Sequence, residues 1–370
     1  MNIISLTKII HSPLDLGKRN SYSQDSETEV PQHSITIMSI KSYLAIGVVS
    51  LSVLAETNFA QTTVATDPVG VVTAELPATG FHYLGINLTS PILLTSSSTT
   101  LNGVEVDSGI DLSILELGTS YVMEIVDGVY EGFSADIASW NGQVITLTED
   151  LTVAGVTSGQ FNGSRITIRT LPTIASIFGL DNSAGLKAGS LANADRVYIY
   201  EDGVFEKHYY FPGGLGVSAG WRDEDGNDSA TTVVHFGDGL IIETKDSAPK
   251  SVSVSGTVKL GPTNVPLYAG FNLLSNPSPV AGSLTLANSG IADGIQAGSA
   301  ATGDIVYIPS TSGFEKYYYF PGGLGVSAGW RNVDTGAISN DVELPSNGSF
   351  FIDRKGGSTS VTISEDLPNN

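Results

Sequence analysis

Four groups of residues in this sequence are of types that do chemistry. The first is the serine in GVSAG at 216–220, repeated at 325–329, which fits the G-x-S-x-G pattern of a nucleophile raised on a strained strand-to-helix turn. Such a serine needs an acid and a histidine after it. Ser218 is followed by WRDEDGND, a poor helix former, and His235 is the only later histidine; none follows Ser327. Serine hydrolysis is therefore not expected. Second, PGGLG at 212–216 has the glycine density of a phosphate cradle, but neither a helix start nor a Gly-Lys-Ser/Thr ending follows it. Third, Asp223, Asp225 and Asp228 in DEDGND offer the oxygen ligands that suit Ca²⁺. Glycine falls fourth rather than sixth there, and no Glu closes the loop, so a solvated Asp-Gly turn is the simpler reading. Calcium is the only cofactor kept in view. Fourth, Asp195 with Asp304 and Glu206 with Glu315 are paired carboxylates of the kind a glycosidase uses. Each is duplicated with its surroundings, which points to a turn cap and an ion pair.

The sequence has no cysteine, which excludes a thiol nucleophile, a disulfide framework and a thiolate zinc site. Beyond residue 60 the histidines are His82, His208 and His235, too scattered for a metal or acid-base cluster. No catalytic or cofactor-binding residue is assigned, and an enzyme is not expected.

The aromatic residues are more informative. YYFPGGLGVSAGWR occurs at 209–222 and again, letter for letter, at 318–331, an offset of 109 (318 − 209 = 109). In the strand FEKHYYF at 205–211, Phe205, Lys207, Tyr209 and Phe211 share one face, and Glu206, His208 and Tyr210 share the other. The first face, mostly aromatic, is expected to be buried, with Arg222 paired to Glu206. Pro212-Gly213-Gly214 ends the strand, and Trp221 then plugs a glycine-rich corner. The competing reading is a glycan platform, in which exposed Tyr210, Trp221, Tyr319 and Trp330 stack on sugar rings and duplication adds avidity.

The elements that must position this corner are short strands. QVITLT at 143–148 and RITIR at 165–169 alternate apolar and polar residues, and VYIYEDGVFE at 197–206 echoes YVMEIVDGVYE at 121–131. YVMEIVDGVYE at 121–131 reads as a hairpin about Asp127-Gly128, and TIASIFG allows a helical turn or two. The repeat continues beyond the identical block: GLKAGS at 185–190 matches GIQAGS at 294–299, Ile241-Ile242 matches Phe350-Phe351, and SVSVS at 251–255 matches SVTIS at 360–364, all at 109 without a gap. GINLTSP at 85–91 is matched with GFNLLSNP at 270–277. A domain-sized repeat predicts duplicated domains rather than a solenoid. The expectation is an all-β protein with two tandem, related antiparallel domains, sandwich- or barrel-like. Residues 61–262 form the first, with its repeat copy from about 171, and 263–370 form the second.

The formal charge is −21, with 38 acidic against 17 basic side chains, and no basic patch is visible, so nucleic acid is not an expected partner. MSIKSYLAIGVVSLSVLAETNFAQ from Met38 has a short basic start, an apolar core and a small-residue end, the pattern of a secretory signal peptide over 38–60. Residues 1–37 then read as an over-extended or disordered leader. The apolar run is too short to span a bilayer, and no transmembrane helix is expected after it. SEDLPNN at the end shows no sorting tail.

TDPVG with GINLTSP, IRTLPTIASIFG, and RVYIY followed by an aromatic strand and GWR together resemble an uncharacterised family of secreted β-rich proteins from verrucomicrobial bacteria, over 66–362. GFNLLSNP, IVYIP and NGSFFIDRK are similar to GWNLIGNP-type β-modules of bacterial surface proteins, with Phe271 in place of the usual Trp. Both resemblances imply structural motifs and bring no catalytic residues. The expected function is a secreted, non-enzymatic structural or interaction protein of the periplasm, outer surface or extracellular space. A polysaccharide-binding protein is the alternative and a hydrolase a distant third. Envelope polysaccharide or other surface proteins are the expected partners.

Overall fold

The computed structural model describes residues 68–98, 104–149, 151, 156–201 and 203–364. The signal-peptide and leader expectations lie outside these residues. The protein is all-β, with antiparallel sheets and no closed barrel. Strands β1 (Val69–Leu76) and β2 (Gly80–Gly85) come first. Six strands follow: β3 (Ile92–Ser97), β4 (Val104–Glu105), β5 (Tyr121–Ile125), β6 (Ser134–Asn141), β7 (Val144–Leu147) and, after the short helix α1 (Ser158–Phe161), β8 (Arg165–Thr170). They form a sheet of their own, ordered β3-β8-β5-β6-β7-β4. After α2 (Ile174–Phe178) come β9 (Arg196–Glu201), β10 (Val204–Phe211), β11 (Gly220–Arg222), β12 (Gly239–Thr244) and β13 (Lys250–Thr257). β12 returns to pair with β2 and β13 with β1, giving a sheet β11-β10-β9-β12-β2 and a two-stranded sheet β1-β13. The last stretch holds β14 (Thr263–Leu267), β15 (Gly270–Ser275), α3 (Ile291–Gly294), β16 (Ile305–Ser310), β17 (Gly313–Phe320), β18 (Gly329–Asn332), β19 (Ser349–Arg354) and β20 (Thr359–Ile363), in sheets β15-β19-β16-β17-β18 and β14-β20.

The repeat is thus larger than its sequence echo, and its first copy is split. β1 and β2 belong to the first copy, and the six-stranded sheet is inserted between β2 and α2. Three separate hydrophobic cores result: one in each copy and one in the insert, the last built on Met123, Ile125, Ile145, Phe161, Ile166 and Ile168. Alternation explains the placement. In β9, Val197 and Ile199 point inward while Tyr198 and Tyr200 point outward.

Cross-strand register revises two sequence matches. Arg196 opposes Glu243 in the first copy, and Ile305 opposes Asp353 in the second. β9 and β16 keep the offset of 109, so at β12 and β19 the true offset is 110 (353 − 243 = 110), and Ile242 corresponds to Ile352, while β13 and β20 return to 109 with Val252 and Val361 both buried. One residue has been inserted in the loop, invisible because apolar pairs match apolar pairs at either offset. Likewise Gly80 opposes Thr244 as Gly270 opposes Arg354. GFHYLG of β2, not GINLTSP, is therefore the counterpart of GFNLLS in β15. The expected Asp127-Gly128 hairpin is also revised: Gly128–Tyr130 forms a 3-10 turn, and the return strand starts only at Ser134.

The two five-stranded sheets meet through equivalent residues. Gly85 N–H donates to the Asn347 carbonyl (2.9 Å), and its counterpart Ser275 N–H donates to the Gly237 carbonyl (2.8 Å), Gly237 and Asn347 being counterparts themselves. Gly239 lies against its own counterpart, Ser349, where a Cβ on the glycine would collide with the serine. Self-complementary contacts of this kind are the signature of a two-fold interface, here made within one chain. The insert is fastened separately. Glu124 is buried between Lys259 (2.7 Å) and Arg169 (3.8 Å), and His235 Nε2 lies 2.9 Å from Asp136 Oδ2. Among the described residues no helix is long and apolar enough to cross a membrane.

Candidate functional site

The repeated block forms a corner. β10 ends at Phe211, Pro212 has no donor to continue the ladder, and Gly214 and Val217 exchange backbone hydrogen bonds at 2.9 Å around Leu215-Gly216. Both turn residues have positive φ, 52° and 82°. Leu215 and Leu324 therefore hold a left-handed turn position that favours Asn or Gly, and both are fully exposed. The chain returns as β11, with Trp221 opposite Tyr210.

That pairing orients the strand. Directly opposed residues share a face, and Trp221 is fully buried, so Tyr210 and His208 turn inward with it. Phe205, Lys207, Tyr209 and Phe211 face outward, the reverse of the expected burial. Tyr210 packs edge-on against Trp221 at 5.6 Å, as Tyr319 does against Trp330. The Trp221 indole N–H donates to the Gly179 carbonyl (2.8 Å). The glycan platform at the corner is overturned: Trp221 and Trp330 are 0% and 1% exposed, and Tyr210 and Tyr319 are half-buried against them. A large apolar indole gains more by filling the space over the sheet than by facing water. Arg222 does not pair with Glu206. Its guanidinium closes the corner on the Ser218 carbonyl (3.0 Å), and Arg331 does the same on Ser327 (2.9 Å).

The outward faces hold a feature the sequence reading placed in the core. In the first copy Phe81, Tyr198, Tyr200 and Phe205 form a chain of rings, with centroids 6.2 Å (Phe81–Tyr198), 6.4 Å (Tyr198–Phe205) and 4.6 Å (Tyr200–Phe205) apart. In the second, Phe271, Tyr307, Phe314 and Phe351 do so at 5.5 to 6.3 Å, and Tyr83 from the first copy joins Phe314 at 5.3 Å. Phe81 and Phe271 are 58% and 47% exposed. Outer faces of antiparallel sheets are ordinarily polar. Cations lie among the rings: Lys316 Nζ is 5.9 Å from the centroid of Tyr307, and the Arg331 guanidinium 5.4 Å from that of Phe320. Lys207 instead forms an ion pair with Glu224 at 2.6 Å. Burial pushes the phenols of Tyr198 and Tyr307 above their usual pKa. The signal was present in the sequence as matched positions Phe205/Phe314, Lys207/Lys316 and Tyr209/Tyr318, but their side of the sheet was assigned wrongly.

The other chemical candidates have structural duties. Asp223 caps its own turn, accepting from the backbone of Asp225 (3.0 Å) and Asn227 (2.8 Å). Asn332 caps the matching turn by accepting from Asp334 and Thr335 (both 3.0 Å). Asp228 accepts from Ala230 N–H (2.9 Å). Among the described residues no three His, Asp or Glu side chains converge to hold a metal. Asp195 and Asp304 are the expected turn caps: Asp304 accepts from the N–H groups of Gln296 and Lys355 (both 2.7 Å) and from Arg354 (2.5 Å). His208 is buried without a hydrogen-bond partner among the described residues, and desolvation lowers its pKa to about 4. For His235, burial opposes the charged form, but hydrogen bonds and charge from Asp136 and Asp238 outweigh it and raise the pKa to about 10. His235 is thus engaged by two carboxylates rather than by Ser218. No family model, no curated protein and no solved structure matches this chain.

Proposed function

We propose that this chain is a non-enzymatic interaction protein of the bacterial envelope or cell surface, using the outward aromatic faces of its two five-stranded sheets. The observation that carries the reading is that both copies present Phe, Tyr, Phe and Lys at equivalent outward positions: Phe81/Phe271, Tyr198/Tyr307, Phe205/Phe314 and Lys207/Lys316. Half-exposed rings on a sheet face lose little by leaving water for a partner and gain contact area. The secretory pattern at 38–60 supports an address outside the cytoplasm.

The test is retention of the mature protein on purified peptidoglycan sacculi and on immobilised envelope polysaccharide, compared with Phe205→Ser combined with Phe314→Ser. The expected result is loss of retention with an unchanged melting temperature. Retention that survives the double substitution, or a variant that unfolds because the face is needed as core, would sink the reading. Polysaccharide is the favoured partner class, since rings interspersed with hydroxyl and ammonium groups suit the alternating apolar and polar surfaces of a sugar.

A further inference from the structure

We infer that the outward face of the C-terminal five-stranded sheet is a site for an acidic polysaccharide, with uronate carboxylates paired to Lys316 and sugar faces stacked on the surrounding rings. This rests on the interaction reading above and names its ligand class and its location.

The two outward faces are alike in their rings but not in their charge. In the first copy Lys207 is neutralised by Glu224. In the matching turn of the second copy, one residue longer, Val333 and Asp334 stand in the place of Glu224, and among the described residues no ion pair joins that turn to Lys316. Lys316 directly opposes Tyr307 in the β16–β17 ladder, and among the described residues it makes no ion pair. Its ammonium sits beside the half-buried ring of Tyr307, with its charge unpaired among the described residues. Asp353, the one carboxylate on this face among the described strand residues, is engaged by the Lys355 ammonium. Arg331, on β18 and over Phe320 of β17, adds a second cation on the same sheet.

Charge decides between ligand classes. The chain as a whole carries −21, so a polyanion is repelled by most of its surface. A face whose described strand residues include Lys316, Arg331 and one compensated carboxylate is the place where it can approach. A neutral glycan would leave the Lys316 ammonium unused. An anionic bilayer fits less well, because Phe314, Phe351 and Tyr83 are packed edge to face on one another at 5.3 to 6.1 Å and are only partly exposed. A carboxylate on a stacked sugar would meet Lys316 where neighbouring rings exclude water, which strengthens the pair over one in bulk solvent.

The experiment is affinity electrophoresis and calorimetry of the mature chain with polygalacturonate, dextran and phosphatidylglycerol vesicles at low and moderate salt. Retardation by polygalacturonate, weakened by salt and absent with dextran, is expected. Lys316→Glu should weaken it at least roughly tenfold, about 1.4 kcal/mol, Lys316→Arg should retain it, and Lys207→Glu should change it little. Near-UV circular dichroism of each variant establishes that it is folded. Absence of polygalacturonate binding, equal binding of dextran, indifference to Lys316→Glu, or binding of vesicles alone would each overturn the inference. If polygalacturonate fails while retention on sacculi still depends on Phe205 and Phe314, the interaction reading survives and only the acidic ligand is lost.

Discussion

Trp221 and Trp330 occupy the same place in the two copies, yet only one of them has an acceptor for its indole proton. Trp221 donates to the Gly179 carbonyl at 2.8 Å, while the Trp330 nitrogen is buried with no partner among the described residues. Replacing either with Phe removes similar apolar volume, so the packing loss is common to both. At 221 the change also removes a hydrogen bond of about 1 kcal/mol net and strips a carbonyl of its donor. At 330 it removes an unpaired polar group whose burial costs about 1–3 kcal/mol, which offsets the packing loss. Trp221→Phe should therefore be the worse by roughly 2–4 kcal/mol. A global transition does not tell one copy's loss from the other's. Native-state hydrogen exchange by mass spectrometry, on peptides covering β10–β11 and β17–β18, reports opening free energies copy by copy. Equal losses within about 0.5 kcal/mol, or a larger loss at 330, would refute the reasoning.

His208, buried and neutral with a pKa of about 4 against 6.5 unfolded, contributes stability that is present above pH 6.5 and is lost as pH falls toward 4. The loss is about 3 kcal/mol at most, and His208→Tyr, the residue found at 317, should flatten the acid limb of a melting-temperature profile. His235 has the opposite sign: its folded pKa of about 10 makes its contribution complete below pH 6.5 and lost as pH rises through 10. Because its side chain is 39% exposed, solvent screening limits that contribution to about 1 kcal/mol, and His235→Ala should lower the melting temperature at pH 6 but not at pH 10.5. Leu215→Asn and Leu324→Asn should each stabilise the folded state by about 1 kcal/mol in urea titration, because Asn tolerates the left-handed turn position that Leu holds under strain.

The strands were legible because period-two alternation is a local property. QVITLT and RITIR became β7 and β8 close to the expected bounds. What alternation lacks is a sign. It separates the faces of FEKHYYF without saying which is inward, and with aromatics on both sides composition gave no help. The sign came from across the ladder, where Trp221 carries Tyr210 and His208 into the core. The same limit hid the inserted residue after the divergent loop and the true partner of GFNLLS. Both are matters of register, which only pairing with a distant strand fixes. The split first copy was illegible for a related reason: nothing near β2 announces that its partner β12 lies beyond a whole inserted sheet.

The distribution of identities between the copies carries the functional argument further than any motif. Packing constrains residues that face a core and leaves outward residues free to change. Between the strands at 205–211 and 314–320 the single difference, His208 against Tyr317, points inward, whereas Phe, Lys, Tyr and Phe are all retained on the outward side. The corner explains why Tyr210 and Trp221 are kept, since they fill each copy's core. It gives no reason for Phe205 and Tyr209. Pairing within the sheet does not require them either, because outward positions of an antiparallel sheet accept polar side chains at little cost. A contact surface used by both copies supplies the missing constraint. The difference in pairing beside it, Lys207 held by Glu224 and Lys316 without an ion pair among the described residues, then distinguishes the ligands that each copy would accept.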